Sequence, residues 1–237
     1  MPKLPTSSLE FPKMASLDLT KSAVDQIYAA MKRAILISDL FPGQAISENE
    51  IGHSFNASRT PVREALSRLR EEGLVVTFPS RGTYVSKLSE RQVKGAQFIR
   101  EAIEVASVRM LCQQGISEPA RKPIEDALAA QREAIEKGDK EAFRLHDDEF
   151  HLALASATGL QRVEPLLVRE KAILDRLRVL AITDEKHMAR LVSEHEAICA
   201  AIDERNDGAA VDWLRKHLRR VLGILENVYK AHEDYFE

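Results

Sequence analysis

The sequence predicts a mainly α-helical protein in two parts: three short helices with a β-hairpin, then an all-α antiparallel bundle of six helices. Three observations predict it. Apolar residues recur at helical spacing along most of the chain, β-type runs occur only around residues 74–85, and Gly, Asn and Asp turns cut the rest into long segments. With 44% apolar residues in 237, the chain can bury two cores of ordinary size. The expected organisation is a flexible leader over 1–20, a first domain over 21–87 and a second over 88–237.

Each element has its own warrant. From Ser22 to Ser38, the residues Val24, Ile27, Met31, Ala34 and Ile35 fall on one helical face, and Phe41-Pro42-Gly43 then breaks the pattern. Ser47-Glu48-Asn49-Glu50 has capping-box spacing and starts a short second helix that ends near Phe55-Asn56. Ser58 is suited to cap a third helix, with Pro61 in the first turn, where a missing N–H costs nothing. Val62, Ala65, Leu66 and Leu69 make that helix's buried stripe, and Gly73 stops it. Leu74–Thr77 and Thr83–Val85 flank Phe78-Pro79-Ser80-Arg81-Gly82 and read as a hairpin, with no other segment reading as strand. After a polar linker at 86–89, helices are expected over 90–113, 118–137, 140–157, 162–181, 185–205 and 209–235. Their breaks fall at Gly115, Gly138-Asp139, Thr158-Gly159, Thr183-Asp184 and Asn206-Asp207-Gly208. Long helices joined by such short turns pack as an antiparallel bundle.

Composition narrows the function classes. No run approaches the roughly 20 apolar residues of a membrane span, and the first 20 residues lack the apolar core of a secretory signal. Cys112 and Cys199 sit in helical patterns without metal or disulfide spacing, as expected of reduced thiols in a cytoplasmic protein. The net charge of −3 excludes a generally cationic coat. Basic residues outnumber acidic ones only up to Lys87, so phosphate contacts are expected in the first third.

Three short helices followed by a hairpin describe a winged helix-turn-helix. Arg59 and Arg63, four apart, point from one side of the third helix's N-terminal half, where a recognition helix carries its base-reading residues. An arginine fork can bond O6 and N7 of guanine together, worth about 1–3 kcal/mol of discrimination. Arg81-Gly82 at the hairpin tip offers a cation and a close backbone approach, suited to a minor groove. By charge alone these would be ordinary solvated arginines. Their order in a helix–turn–helix–hairpin favours DNA.

The bundle carries an anomaly. Asp147 and His151 lie four apart on the stripe of Phe143, Phe150 and Leu154; His195 interrupts the stripe of Met188, Leu191, Val192, Ile198 and Ile202; His217 sits beside Leu218. Four unpaired polar groups on inward faces would cost about 1–3 kcal/mol each. Separate core hydrogen bonds for each histidine are the plain alternative, but a shared Zn²⁺ or other first-row divalent ion satisfies all four together. Such a centre could activate water in an enzyme, although no general base of the HExxH kind and no nucleophile motif accompanies it. It could equally be structural. His146 is expected off the stripe and exposed.

Several motifs resemble a known family. Phe41-Pro42-Gly43-Gln44, Ser58-Arg59-Thr60-Pro61-Val62-Arg63-Glu64-Ala65-Leu66, Arg68-Leu69, Glu72-Gly73-Leu74-Val75 and Arg81-Gly82-Thr83-Tyr84-Val85 resemble the GntR family of bacterial transcription regulators over about residues 22–86. The resemblance implies operator contacts from Arg59, Thr60, Arg63 and Gly82; with Ser58, Arg81 and Asn49, the last standing where some members place an arginine, they make the candidate DNA-binding set. Residues 93–232 are similar to the effector-binding FCD domain of the FadR subfamily, in its six-helix VanR-like form. The similarity rests on Phe143-x-x-x-Asp147-x-x-Phe150-His151, His195-x-x-Ile198, His217-Leu218 and Arg100-x-x-x-Glu104. Leu160 departs from a common Asn of that family.

The resemblance also implies a function. Asp147, His151, His195 and His217 would hold a divalent metal ion, zinc first, with nickel and manganese as alternatives. Arg100 would meet a small carboxylate effector, unless it serves only to pair Glu104 at i+4. The whole would be a homodimeric repressor on pseudo-palindromic double-stranded operator DNA, and not an enzyme.

Overall fold

The computed structural model describes residues 17, 18, 20–179 and 185–237. Most of the expected leader, together with the end of the helix expected over 162–181 and the break at Thr183-Asp184, lies outside the described residues.

The first helices form where the apolar periodicity places them. α1 (Ala23–Leu36) is capped by Ser22, whose hydroxyl accepts the Asp25 N–H at 3.3 Å. β1 (Ala45–Ile46) is next in the chain, then α2 (Glu48–Phe55), where the Ser47 hydroxyl accepts the Glu50 N–H at 3.3 Å. α3 (Arg59–Glu71) buries Val62, Ala65, Leu66 and Leu69 against Ile27, Met31 and Ile51. Ser58 occupies its N-cap position in extended backbone, but its hydroxyl makes no capping bond. β2 (Val75–Phe78) and β3 (Gly82–Val85) form the hairpin, β2 shifted one residue along from the expected 74–77 and β3 starting one residue before the expected 83–85.

The sheet has a third strand that the sequence pattern does not reveal. Its order is β1-β3-β2, with Ala45 opposite Tyr84 and Ile46 opposite Thr83, all antiparallel. Two residues are too short to show a period of two, so β1 leaves no mark in the pattern. At the hairpin tip Gly82 has φ +102, a conformation L side chains rarely adopt, and the Tyr84 hydroxyl donates to the Arg81 carbonyl at 2.8 Å.

The remaining helices are α4 (Glu90–Gln114), α5 (Glu118–Glu136), α6 (Lys140–Ser156), α7 (Val163–Val179), α8 (Glu185–Asp203), α9 (Asp207–Leu218) and α10 (Arg220–Ala231). The single last helix expected over 209–235 is therefore two, joined at Arg219, and a short 3-10 turn comes after them at Glu233–Tyr235. No Gly or Pro marks the joint. Its two arginines diverge instead: Arg219 reaches Glu101 on α4 at 2.6 Å, while Arg220 pairs with Glu194 on α8. α4 packs on α7 and α9, and α5 on α6 and α8.

Two compact units result, Ser89–Glu233 and a first unit that runs to Leu88 and takes in Asp234–Glu237. The sequence pattern alone places 234–237 with the bundle. In the first unit the Leu88 N–H donates to the Tyr235 carbonyl at 2.8 Å and the Glu237 N–H to the Leu88 carbonyl at 3.0 Å. Phe236 is buried and Tyr235 stacks on Phe41 at 6.1 Å. Truncating a buried Phe typically costs about 3 kcal/mol or more. Phe236→Ala is accordingly expected to destabilise the N-terminal unit by about 3 kcal/mol while leaving the bundle's transition in place, as two-transition chemical denaturation would record.

Candidate metal centre and nucleic-acid interface

All of the candidate DNA-binding residues lie on the surface of the first unit. Arg59, Thr60, Arg63, Arg81 and Gly82 are exposed, and Asn49 and Ser58 are at least partly so. Four of them, Ser58 to Thr60 and Arg63, ride on the cap and first turns of α3, because its other face is committed to the core. The Arg63 Nε donates to Glu48 on α2 at 2.9 Å, which orients the guanidinium along the surface. Asn49, Ser58 and Arg59 border one concavity between α2 and α3. Farther along α3, Arg68 is engaged by Asp25 and covers the Tyr28 ring at 4.1 Å, so it is a structural arginine.

The bundle brings its four polar residues together. Asp147 and His151 on α6, His195 on α8 and His217 on α9 are all buried, and one ligand atom from each lies within 4.8 Å of the others. They form a polar layer between two apolar clusters. Phe143, Met188, Leu191 and Val192 lie to one side, and Phe150, Leu154, Ile198, Leu214 and Leu218 to the other. His146, expected to be exposed, is half-buried and hydrogen-bonds Glu149 at 2.8 Å.

Each imidazole is oriented by an acceptor at its outer nitrogen. His151 Nδ1 meets Glu104 Oε2 at 2.7 Å, His195 Nδ1 meets Gln131 Oε1 at 2.9 Å, and His217 Nδ1 meets Glu194 Oε2 at 3.2 Å. The Gln131 amide donates to the His146 carbonyl at 2.9 Å, which leaves its oxygen to face His195. An acceptor at every Nδ1 puts the proton there and a lone pair on every Nε2. Those three lone pairs converge. His151 Nε2 and His195 Nε2 stand 3.1 and 3.3 Å from His217 Nε2, and Asp147 Oδ1 stands 3.5 Å from His195 Nε2.

Such a set calls for a cation at its centre. Acceptors that face one another cannot hydrogen-bond, and Asp147 Oδ1 is buried with no hydrogen-bond partner. Ligands about 2.1 Å from a tetrahedral zinc stand about 3.4 Å apart, close to these separations. The donor set therefore fits a divalent metal ion. Glu104, Gln131 and Glu194 stand where outer supports of ligating histidines would stand. Sequence reasoning pairs Glu104 only with Arg100 and passes over Gln131 and Glu194.

The electrostatics agree with neutral imidazoles at His151 and His195 beside a charged carboxylate. Burial pushes His151 well below its usual range, with Arg100 adding to the effect, and burial followed by His217 lowers His195 to about 3. Burial would raise the Asp147 carboxyl, but the charge of the Arg178 guanidinium holds it well below the carboxylate range. Glu194 sits at about 2, because hydrogen bonds from His217 and Arg220 outweigh its burial.

An open cleft reaches this layer. Asp147 and His217 form its floor, Arg100, Arg178 and Arg220 line it with charge, and Leu191, Val221 and Ile224 supply apolar wall. Arg100 donates through Nε to Glu104 at 2.5 Å, so the i+4 pair exists, yet its Nη2 is buried without a partner. Leu160 is half exposed and is not among the cleft's lining residues.

Comparison with known proteins identifies the chain. Residues 23–85 match the gntR family of bacterial regulatory proteins, and residues 97–220 match the FCD domain. The chain belongs to the GntR family. The HTH-type transcriptional repressor RspR of Escherichia coli K12 is 33% identical over 220 residues, 93% of this chain and 96% of that one. An HTH-type transcriptional regulator in an unstable DNA locus of Streptomyces ambofaciens is 35% identical over 206 residues, 87% of this chain and 86% of its own. The solved structure of E. coli McbR/YncC has the same fold, with a TM-score of 0.68 at 22% identity over 88% of this chain and 99% of that one. GntR-family proteins of this kind are transcription regulators and not enzymes, so the water-activating reading of the centre is set aside. Among the described residues, no helix of this GntR-family chain is long and apolar enough to cross a membrane.

Proposed function

We propose that this transcription regulator is a cytoplasmic homodimeric repressor whose hold on operator DNA is set by a small carboxylate bound beside a divalent metal ion. One observation carries the reading: three Nε2 lone pairs and one orphaned carboxylate oxygen converge at the floor of a cleft lined by Arg100, whose buried Nη2 has no hydrogen-bond partner. Asp147, His151, His195 and His217 hold the ion, with zinc best matched to the three imidazoles and nickel or manganese as alternatives. The ion supplies a Lewis-acidic position for an anionic oxygen, and Arg100 binds and orients the carboxylate there.

Asn49, Ser58, Arg59, Thr60, Arg63, Arg81 and Gly82 make the DNA contacts. α3 of each copy enters a major groove, with the wing's Arg81-Gly82 at the adjoining minor groove. Pairing two copies matches a pseudo-palindromic operator. Dimerisation is assigned to the bundle, where Phe98 on α4, 76% exposed, is the most exposed large apolar side chain among the described residues. The effector acts by population shift: it binds one arrangement of the dimer better and so disfavours the DNA-bound one.

The test is a thermal-shift screen of the zinc-loaded protein against short mono- and dicarboxylates, followed by an operator mobility shift with each hit. A stabilising acid that releases the operator is expected. In Arg100→Ala the stabilisation should fall at least about tenfold in apparent affinity, as loss of a charge-assisted hydrogen bond implies. A screen with no stabilising acid, or an unaltered response in Arg100→Ala, contradicts the assignment.

A further inference from the structure

The metal-centre reading gives no part to a buried charge cluster on the far side of Asp147. Asp147 presents its two oxygens to different neighbours. Oδ1 stands 3.5 Å from His195 Nε2, while Oδ2, 4.0 Å from His151 Nε2, is gripped by Nη2 of Arg178 on α7. The other terminal nitrogen, Nη1, holds Asp148 Oδ1 at 2.9 Å and Asp175 Oδ1 at 3.4 Å. Lys171, itself buried, pairs with Asp148. Among the described residues, three carboxylates thus share two cations in this part-buried cluster, and Arg178 alone touches all three. Burial works against the charge on Arg178, and the three aspartates more than reverse that.

Consider Asp147 when no ion is bound. Each neighbouring histidine turns its Nδ1 to an outer acceptor, and among the described residues Arg178 is the cation in hydrogen-bond contact with the carboxylate. A buried carboxylate without such a partner is strongly destabilising. With an ion bound, Asp147 gains a second cation, and the guanidinium then adds a like charge beside the ion. Arg178 therefore stabilises the empty site more than the filled one.

We infer that Arg178 is a built-in stand-in for the metal: it supplies the counter-charge of Asp147 in the empty centre and thereby sets the metal affinity lower than the ligands alone would give. This rests on the reading of Asp147, His151, His195 and His217 as a metal site. Arg178 is a positioning residue here and no metal ligand. Its consequence is an ion that can be lost and regained without unfolding the bundle. Because Arg178 also lines the cleft, the same guanidinium faces whatever binds there.

An outer support that merely oriented Asp147 would behave in the opposite way, since removing one typically weakens metal binding about ten- to a hundredfold. The experiment measures zinc affinity by competition with a chromophoric chelator, and melting temperature with and without zinc, for the full-length wild type, Arg178→Met and Arg178→Lys. Arg178→Met is expected to melt at a lower temperature than wild type when metal-free, to recover most of that loss with zinc, and to bind zinc about tenfold tighter or more. Arg178→Lys keeps the charge but not the fork that spans three aspartates, and should shift the same way by less. A Met variant that folds only with zinc is the same result in stronger form. If it folds under neither condition, Arg178→Lys decides by the direction of its affinity change.

Zinc affinity that is unchanged or weaker in the variants overturns the inference while leaving the metal centre intact. A wild-type chain that binds no zinc, nickel or manganese overturns both.

Discussion

Replacing Arg59 and Arg63 together with alanine is expected to weaken specific operator binding by about thirtyfold or more and leave the fold untouched. Both side chains are exposed, and the helix that carries them is anchored by Val62, Ala65, Leu66 and Leu69 on its opposite face. Among the described residues the side-chain contact at stake, Arg63 with Glu48, is an exposed ion pair worth at most about 1 kcal/mol. A bidentate arginine–guanine contact is worth about 1–3 kcal/mol, so two of them amount to roughly one and a half to four decades of affinity. Competition mobility shifts separate the outcomes. Specific binding should collapse toward the non-specific level, with circular dichroism and melting of the N-terminal unit unchanged. Specific binding that survives would move the recognition surface off the start of α3.

The second large effect belongs to the bundle. His195→Ala removes an imidazole that is fully buried, stacked on Phe150 at 4.2 Å and hydrogen-bonded to Gln131. Loss of an outer support alone typically weakens a metal site about ten- to a hundredfold, and loss of a ligand should exceed that. An ion present at about a thousand times its dissociation constant stabilises the folded state by about 4 kcal/mol. For a unit of this size that corresponds to roughly 10 °C or more in melting temperature. Stripping the wild type with a chelator should therefore lower its melting temperature by about that amount. The His195→Ala protein should melt lower from the start and respond to the chelator hardly at all. Equal chelator responses in the two proteins would place any stabilising ion elsewhere.

Much of this arrangement is legible in the sequence, because burial leaves a periodic mark. The four residues expected to bury α3 are the four that do so, and the inward placement of Asp147, His151 and His195 accords with the apolar stripes they interrupt. The features left unread are those without local signal. β1 is a two-residue strand, too short for alternation. The joint between α9 and α10 at Arg219 lacks Gly or Pro and arises where neighbouring arginines reach Glu101 and Glu194 on different helices.

The supports of the histidines are partly within reach of the same reasoning. Gln131 lies on the buried stripe of Ile124, Ala127, Leu128 and Ala134 just as His195 lies on its own, so the same rule finds it. Glu194 directly precedes His195 and gives no comparable sign. Arg178 reads as an ordinary basic residue in the last turn of a helix. Its partners Asp147 and Asp148 are 31 and 30 residues away in sequence, and only tertiary packing brings them together.

The most direct test of the metal centre is an anomalous difference map at the zinc absorption edge, from crystals of the protein grown with one equivalent of zinc. A single peak is expected among His151 Nε2, His195 Nε2, His217 Nε2 and Asp147 Oδ1, with Arg100 facing it across the cleft. A map with no peak at that position, or with zinc bound only at surface residues, contradicts the account.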